Sequence, residues 1–233
     1  MRTASLRRPL GALFALGLAA LFVAAAGGQS STPLRSILMH PSVSDFAQVS
    51  SSETPPTEAQ CFSVGRRCFT PLSTQAAYNV GPLYDQGLDG SGITIALVDS
   101  YGSDTIAHDL HVYDEAFDLP PLCGEEHVTC TAGMPWFRTF HYQGAPATKA
   151  QPGNGTHQED KSAWALEVSL DVEVAHAMAP GANILLVTTP TAETLGVQGF
   201  PNMMNAEQYV VDHHMADIIS QSFGSAEDAF GSA

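Results

Sequence analysis

Two carboxylic acids in the second half of the chain have a spacing that suits proton transfer. Glu167 and Asp171 are four residues apart in the string WALEVSLDVEVAHAMAPGANILLV. On a helix, side chains at this spacing emerge on one face, one above the other. When water is excluded, the charge of one carboxylate raises the pKa of the other. Such a pair can accept and return a proton near the pH at which it titrates.

A solvated acidic face is the alternative explanation for this pair. Against it, the neighbouring residues are apolar: Trp164, Leu166, Val168, Leu170, Val172 and Val174. A helix that is apolar nearly all round is normally buried. We therefore predict a buried acidic pair, and the residues alone leave open whether it is functional.

The segments around these acids alternate between strand and helix patterns. Apolar runs predict strands at residues 92–99, 136–142, 183–188 and 216–224. Helical spacing predicts helices at residues 104–120, from about 160 to 178, and 205–214. Alternation of this kind is typical of an α/β fold, with a parallel sheet covered by helices on both faces.

The first predicted strand ends at a third acid, Asp99. Open parallel sheets bind ligands and place catalytic groups outside the carboxyl ends of their strands. Asp99 is therefore a candidate supporting acid for the pair on the helix. The alternative is a cap for the turn from Ser100 to Gly102.

The beginning of the chain has the layout of an export signal. Residues 1–26 contain three arginines, then an uncharged run from Pro9 that ends in three alanines, which predicts a cleaved secretory signal peptide. An uncleaved membrane anchor is the alternative. Residues 27–60 are rich in Ser, Thr and Pro and predict a linker or arm, so the folded domain is expected at residues 61–233.

The composition is strongly acidic. The formal charge is −15 and becomes −18 once the three arginines of the first 26 residues are removed. This excludes the basic surface of a nucleic-acid binder. Self-repulsion weakens as carboxylates take up protons, so the charge balance favours an acidic environment.

Four cysteines form two close pairs, Cys61 with Cys68 and Cys123 with Cys130. Export favours disulfides, and four cysteines allow three connectivities. We predict the two local bonds, because each pair encloses a short loop. A zinc site is the competing explanation, but neither pair has C-x-x-C spacing, and no metal site is expected.

Several strings of this sequence, taken in chain order, resemble the sedolisin (serine-carboxyl) peptidases, a subtilisin-like family. The string Glu-x-x-x-Asp followed by Val-Glu-x-Ala-His-x-x-Ala-Pro-Gly-Ala is similar to their catalytic helix. FTPLSTQAAYNVGPLYDQGLDGSGITIALVDSYGSDTIAHDL resembles the start of their mature catalytic domain, and IISQSFGSAED resembles their Ser-x-Gly strand. The resemblance covers about residues 68–228.

The resemblance implies a secreted endopeptidase with a subtilisin-like fold, cutting polypeptides in acid through an acyl-enzyme. Glu167 would be the general base for a serine hydroxyl, and Asp171 would hold and tune it. Ser222, Phe223 and Gly224 would pair with substrate along a strand edge, with Phe223 where the family usually has tryptophan. No nucleic acid and no stable membrane association are expected.

Two strings of the family are missing from the 233 residues. Neither Gly-Asp-Ser-Gly, which carries the oxyanion aspartate, nor Ser-Gly-Thr-Ser, which carries the nucleophile, occurs. Ser222 is not the expected nucleophile, because it precedes Phe-Gly on a predicted strand. We therefore expect a fold incomplete at its C-terminus and inactive as it stands, with the family's calcium site in the missing part. The alternative is a non-catalytic secreted peptide-binding homologue.

Overall fold

A computed structural model describes residues 40–41, 54–144, 156–190 and 199–224. The predicted signal peptide and most of the predicted linker lie outside these described residues. Every element given below belongs to one unit of the chain, Leu34–Ala233.

The described residues form six helices and six strands. The helices are α1 (Glu58–Ser63), α2 (Pro71–Tyr78), α3 (Gly81–Tyr84), α4 (Ile106–Phe117), α5 (Thr156–Met178) and α6 (Gly199–Asp212). The strands are β1 (His40–Pro41), β2 (Thr94–Ser100), β3 (Phe137–His141), β4 (Asn183–Thr189), β5 (Ile218–Ser220) and β6 (Phe223–Gly224).

Four strands make one parallel sheet in the order β3-β4-β2-β5. In its register Asp99 lies beside Thr188, and Leu97 lies between Leu186 and Ser220. Parallel pairing brings the carboxyl ends of all four strands to one edge. The predicted α/β class is confirmed, and the arrangement is consistent with the subtilisin-like fold that the resemblance implies.

Helices cover both faces of this sheet. On one face α4 and α5 pack on the odd-numbered residues of β2, with Leu97 among Leu110, Val168 and Val172. On the other face α6 packs its residues Ala206 and Val210 on Ala96 and Val98. Each fully buried Leu or Val side chain contributes roughly 1.5 to 3 kcal/mol. The strand that carries Asp99 is therefore held from both sides.

The acidic helix α5 is less buried than its sequence predicts. Val168 and Val172 face the sheet and are fully buried, but Leu170 is 42 % exposed and Val174 is 37 % exposed. Their apolar side chains line an open groove instead of the core. The expectation of a helix buried all round was therefore wrong for one face.

The predicted strand at residues 216–224 is also interrupted. β5 ends at Ser220, and β6 begins at Phe223 in a different, two-stranded sheet. Ser222 lies between the two, where its hydroxyl bonds a carboxylate of α5.

The first helices follow from local capping signals. Thr57 with Gln60 and Thr70 with Ser73 each form a reciprocal capping box, at the starts of α1 and α2, and such boxes satisfy otherwise unpaired amides. α1 thus begins inside the segment whose composition predicts a linker.

Both predicted disulfides are present. Cys61 bonds Cys68 across a Cα–Cα distance of 5.9 Å, and Cys123 bonds Cys130 across 4.9 Å. The second closes a loop that is fixed to the sheet, because Cys123 forms a parallel bridge with Trp136. Across the described ranges, no helix combines the length and apolar character that crossing a membrane requires.

Replacing Leu186 by Ala should strongly destabilise the fold. Leu186 is fully buried in the middle of the sheet, and Leu→Ala in a core costs about 2 to 5 kcal/mol in the free energy of unfolding. Leu88→Ala is the matched control, because Leu88 is 59 % exposed and surface changes stay within about 0.5 kcal/mol. Equal losses in urea titrations of the two variants would contradict this core.

Peptide mapping without reduction should recover two cross-linked peptides, one holding Cys61 with Cys68 and one holding Cys123 with Cys130. The reason is that each pair is joined locally within a separate loop. A peptide that joins a cysteine of one pair to a cysteine of the other would overturn this pairing.

Candidate active site

The site begins at the carboxyl end of the central strand. Asp99 is fully buried, and neither of its carboxylate oxygens has a hydrogen-bond partner among the described residues. Buried polar groups are nearly always hydrogen-bonded, and an isolated buried carboxylate takes up a proton to avoid the cost of its charge. Burial accordingly raises the pKa of Asp99 well above its usual range.

Two acids from α5 act on Asp99 through their charges. After burial, the charges of Asp171 and then Glu167 raise the pKa of Asp99 further. Glu167 is itself 1 % exposed. The helix therefore presents two carboxyls, one turn apart, to the end of the strand, and the three acids form one electrostatic cluster.

Asp171 has a partner that the sequence did not reveal. The Ser222 hydroxyl donates a 2.7 Å hydrogen bond to Oδ1 of Asp171, while Oδ2 has no hydrogen-bond partner in the described part of the chain. Burial raises the pKa of Asp171, and the bond from Ser222 partly offsets that rise. Ser222 thus fixes the orientation of this carboxyl.

The sequence-predicted residues therefore meet at one place. Asp99 comes from β2, Glu167 and Asp171 come from α5, and Ser222 comes from the turn between β5 and β6. Phe223 and Gly224 follow directly as β6. The four cysteines lie elsewhere, in the α1 region and in the loop between α4 and β3.

A groove opens beside the acids, between α5 and the β5 edge of the sheet. Its volume is about 430 Å³, and its walls include both helix acids and Ser222. The remaining lining is mainly apolar, from residues Ile95, Leu97, Leu170, Val174, Ala175 and Met178. Glu167 and Asp171 thus stand at the boundary between the packed core and an apolar groove.

The structure adds an aromatic and methionine cluster that the sequence did not point to. Trp164 and Met203 are buried together, with Tyr101, Met204 and Phe223 packed against them. Tyr101 adopts a left-handed backbone conformation, with φ of 61°, which costs energy for a residue with a side chain. The sequence signal that could have pointed to Tyr101 was its position, two residues after Asp99 and just past the end of a predicted strand.

The strand β6 pairs with an extended segment of the same chain. His40 and Pro41 run antiparallel to it, with His40 beside Gly224 and Pro41 beside Phe223. This edge therefore accepts an extended backbone through strand pairing. Substrate peptides commonly bind in the same manner, by adding a strand to an exposed edge.

Within residues 40–41, 54–144, 156–190 and 199–224, no group of three or more His, Cys, Asp or Glu residues is arranged to hold a metal ion.

Comparison with known proteins gives one negative and one positive finding. No protein-family model matches the chain. Kumamolisin from Bacillus sp. (strain MN-32) is 28 % identical over 176 residues, which cover 76 % of this chain and 26 % of kumamolisin. The chain thus spans about a quarter of the length of this relative. Since kumamolisin is a sedolisin, and since the sheet and helices fit that fold, the chain is a distant relative of the sedolisin peptidases.

Proposed function

We propose that this chain carries the acid–base part of a serine-type endopeptidase site that cuts polypeptides in acid. The observation that carries the proposal is the meeting of Asp99, Glu167 and Asp171 beside an edge that accepts extended backbone. The distant relation to kumamolisin supports a peptidase of this type.

In the proposed mechanism Glu167 is the general base. As a serine hydroxyl attacks the peptide carbonyl carbon, the Glu167 carboxylate takes the hydroxyl proton and then passes it to the departing amine nitrogen. In the second half a water gives its proton to Glu167 while its oxygen attacks the acyl carbon, and the serine oxygen recovers the proton. Asp171 is the positioning acid that holds and tunes Glu167.

The nucleophilic serine and the oxyanion donor are assigned to sequence outside the 233 residues. The strings that carry them in the family are absent here. The apolar groove beside Glu167 and Asp171 offers a place for such a segment, because Leu170 and Val174 expose apolar surface directly next to the acids. A calcium ion, expected by resemblance, belongs to the same outside part and takes no step in this mechanism.

The electrostatics of the cluster support the proposed acidic working conditions. Burial raises the pKa of both Asp99 and Asp171, so each takes up its proton at a higher pH than an exposed aspartate. With those two protonated, one negative charge can reside on the cluster without a second charge beside it. As the pH rises through those pKa values, a second charge would have to enter the same buried place, which is costly.

The proposed substrate is an extended polypeptide paired with Phe223 and Gly224. His40 and Pro41 occupy that edge, so they must leave before a substrate strand can take their place. Two disulfides and the predicted signal peptide support an extracellular location.

A non-catalytic peptide binder is the second candidate, and the strand pairing at Phe223 and Gly224 favours it equally. It leaves the buried acids unexplained, since peptide pairing uses main-chain hydrogen bonds. Activity therefore decides between the two.

A version continued through a Ser-Gly-Thr-Ser segment should cleave denatured protein between about pH 3 and 5. In it, Glu167→Gln or Asp171→Asn should reduce kcat/KM by roughly 100-fold or more, the usual share of general acid–base catalysis. Glu173→Gln is the matched control. Glu173 lies on the same helix, and burial with the charges of Asp109 and Asp114 raises its pKa to about 8, but it lies outside the Asp99 cluster.

The unextended chain should show no cleavage, because a base without a nucleophile attacks nothing. Cleavage by the 233 residues alone would contradict the assignment and would identify Ser222, already bonded to Asp171, as the residue to test. Equal losses in Glu173→Gln and Glu167→Gln would show a general folding defect.

Asp99→Asn should make the protein more stable in neutral solution. Because the folded state raises the pKa of Asp99, the folded form binds this proton more tightly than the unfolded chain. The stability that this bound proton contributes is fully present below the pKa of Asp99 in the unfolded chain. It is lost as the pH rises through the pKa of Asp99 in the folded protein. The amide cannot ionise, so urea titrations should show a gain at about pH 7 that shrinks toward about pH 4.

Asp104→Asn is the control, since Asp104 is an exposed aspartate. It should change stability by less than about 0.5 kcal/mol at both pH values. A loss of stability in Asp99→Asn at neutral pH would show that the ionised carboxylate has a stabilising partner.

A further inference from the structure

A second group of titratable side chains lies where α4, α5 and the loop after α4 meet, outside the Asp99 cluster. Asp114 of α4, Glu125 of the loop and His176 of α5 are all buried. Nε2 of His176 lies 3.1 Å from Oδ2 of Asp114. Glu173 of α5 interacts with Asp114 through its charge. Asp114, Glu125, Glu173 and His176 are called the α4–α5 cluster below.

The hydrogen bonds of the α4–α5 cluster hold the loop but leave several carboxyl oxygens without a donor. Glu125 accepts a hydrogen bond from the Leu122 amide, and Nε2 of His176 donates to the Pro120 carbonyl at 2.9 Å. Within the described residues, Oε2 of Glu125 and both carboxyl oxygens of Asp114 have no hydrogen-bond partner. Charging a buried carboxyl that lacks partners is costly. The loop is therefore held to the two helices by groups whose protonation sets the cost of burying them.

Two acids of the cluster keep their protons to an unusually high pH. Burial raises the pKa of Glu125 to about 8, with the Leu122 amide partly offsetting the rise and the charge of Asp114 adding to it. Burial also raises the pKa of Glu173 to about 8, helped by the charges of Asp109 and Asp114. Above that pH two new negative charges would join that of Asp114. Like charges held together in a buried place destabilise it.

The positive partners around the cluster are histidines. Among the described residues, the ion pairs here join His108 with Glu126 at 2.6 Å, His111 with Glu115 at 3.5 Å, His111 with Glu125 at 3.6 Å, and His127 with Glu126 at 3.9 Å. No described lysine or arginine forms an ion pair with the cluster. Histidine is the side chain that loses its charge between about pH 5 and 8. A rise in pH thus removes positive charge first and then adds negative charge.

Tyr113 is the remaining titratable group of α4 that faces the cluster. Burial, followed by the charges of Glu173 and Asp114, raises the pKa of Tyr113 further above its usual range. Its hydroxyl therefore stays neutral while the two glutamates lose their protons, and it supplies no charge that could offset theirs.

The loop that the cluster holds has few other attachments. It is fixed to the sheet by the parallel bridge between Cys123 and Trp136. The Glu126 amide donates to the Ala107 carbonyl of α4 at 3.0 Å, and the Leu122 side chain is buried in the core. Ionisation of the cluster would therefore act on α4 and the loop, while the backbone pairing of the sheet remains.

We propose that the α4–α5 cluster is a pH-sensitive switch, which holds α4 and residues 118–130 against α5 in acid and releases them in weakly alkaline solution. Release lets the ionised carboxylates regain water, which removes the cost of burying them. The helix that is released from these contacts is the one that carries Glu167 and Asp171. The switch would therefore keep the surroundings of that pair intact only where the protein is in acid.

The direction of the pH effect follows from proton linkage. The folded protein raises the pKa of Glu125 and Glu173, so it binds these two protons more tightly than the unfolded chain does. The stability that the bound protons contribute is fully present below the pKa of these groups in the unfolded chain. It is lost as the pH rises through their pKa of about 8 in the folded protein.

Hydrogen–deuterium exchange of the full oxidised chain tests the switch at about pH 5 and about pH 9, on either side of the two pKa values. Each amide rate is divided by the rate of an unstructured peptide at the same pH. The amides of α4 and of residues 119–130 should lose protection by about tenfold or more between the two conditions. The amides of β4 should keep theirs, because that strand is paired on both sides.

A double variant shows whether the two glutamates cause the loss. Glu125→Gln with Glu173→Gln should remove most of the pH dependence, because an amide cannot ionise, and glutamine keeps an oxygen that can accept from the Leu122 amide. Glu58→Gln is the matched control, since Glu58 is exposed on α1, and it should show the full loss. The readout is exchange alone, so the result does not depend on the proposed peptidase function.

Four outcomes would overturn the proposal. They are unchanged protection of α4 and the loop in the unmodified protein, a full loss in the double variant, an equal loss in β4, and failure of the double variant to fold at about pH 5. The last would contradict the account because glutamine resembles the protonated glutamate that the folded protein holds in acid.

Discussion

The exclusion of water from three neighbouring carboxyls is the constraint on which the site depends. Removing a charged carboxylate from water costs several kcal/mol even after the protein relaxes. Asp99 meets this cost with no hydrogen bond from any described residue, and with Glu167 and Asp171 adding to it. The fold must therefore force these groups together through packing. The consequence is a cluster whose charge changes as the pH falls.

The side-chain packing that holds the three carboxyls together is that of a normal hydrophobic core. Leu97, two residues before Asp99, is fixed among the valines of α5, and those valines alternate along the helix with the two acids. The same contacts that stabilise the sheet thus aim the acids at the strand end. Another buried acid, Asp114, has different surroundings, because it lies 3.1 Å from Nε2 of the buried His176 and away from the three-acid cluster. Burial by itself therefore does not identify a site.

How much the sequence could predict depended on the range of the interactions involved. The acids at helical spacing and the strand that carries Asp99 near its end are local patterns, and the structure brings them into one electrostatic cluster. The exposed face of Leu170 and Val174 was missed, because apolar residues read as buried unless the neighbouring elements are known. The bond from Ser222 to Asp171 joins residues 51 positions apart, and no local pattern encodes it. The pairing of residues 40–41 with β6 was missed for the same reason.

Side-chain carboxyl titration by carbon-detected NMR tests the central claim most directly. The titration midpoint of Asp99 is measured in the unmodified protein and in Glu167→Gln. If the acids form one cluster, the midpoint lies well above that of an exposed aspartate and falls in the variant, because a neighbouring negative charge has been removed. An Asp99 midpoint near its ordinary value, or one that Glu167→Gln leaves unchanged, would contradict the account.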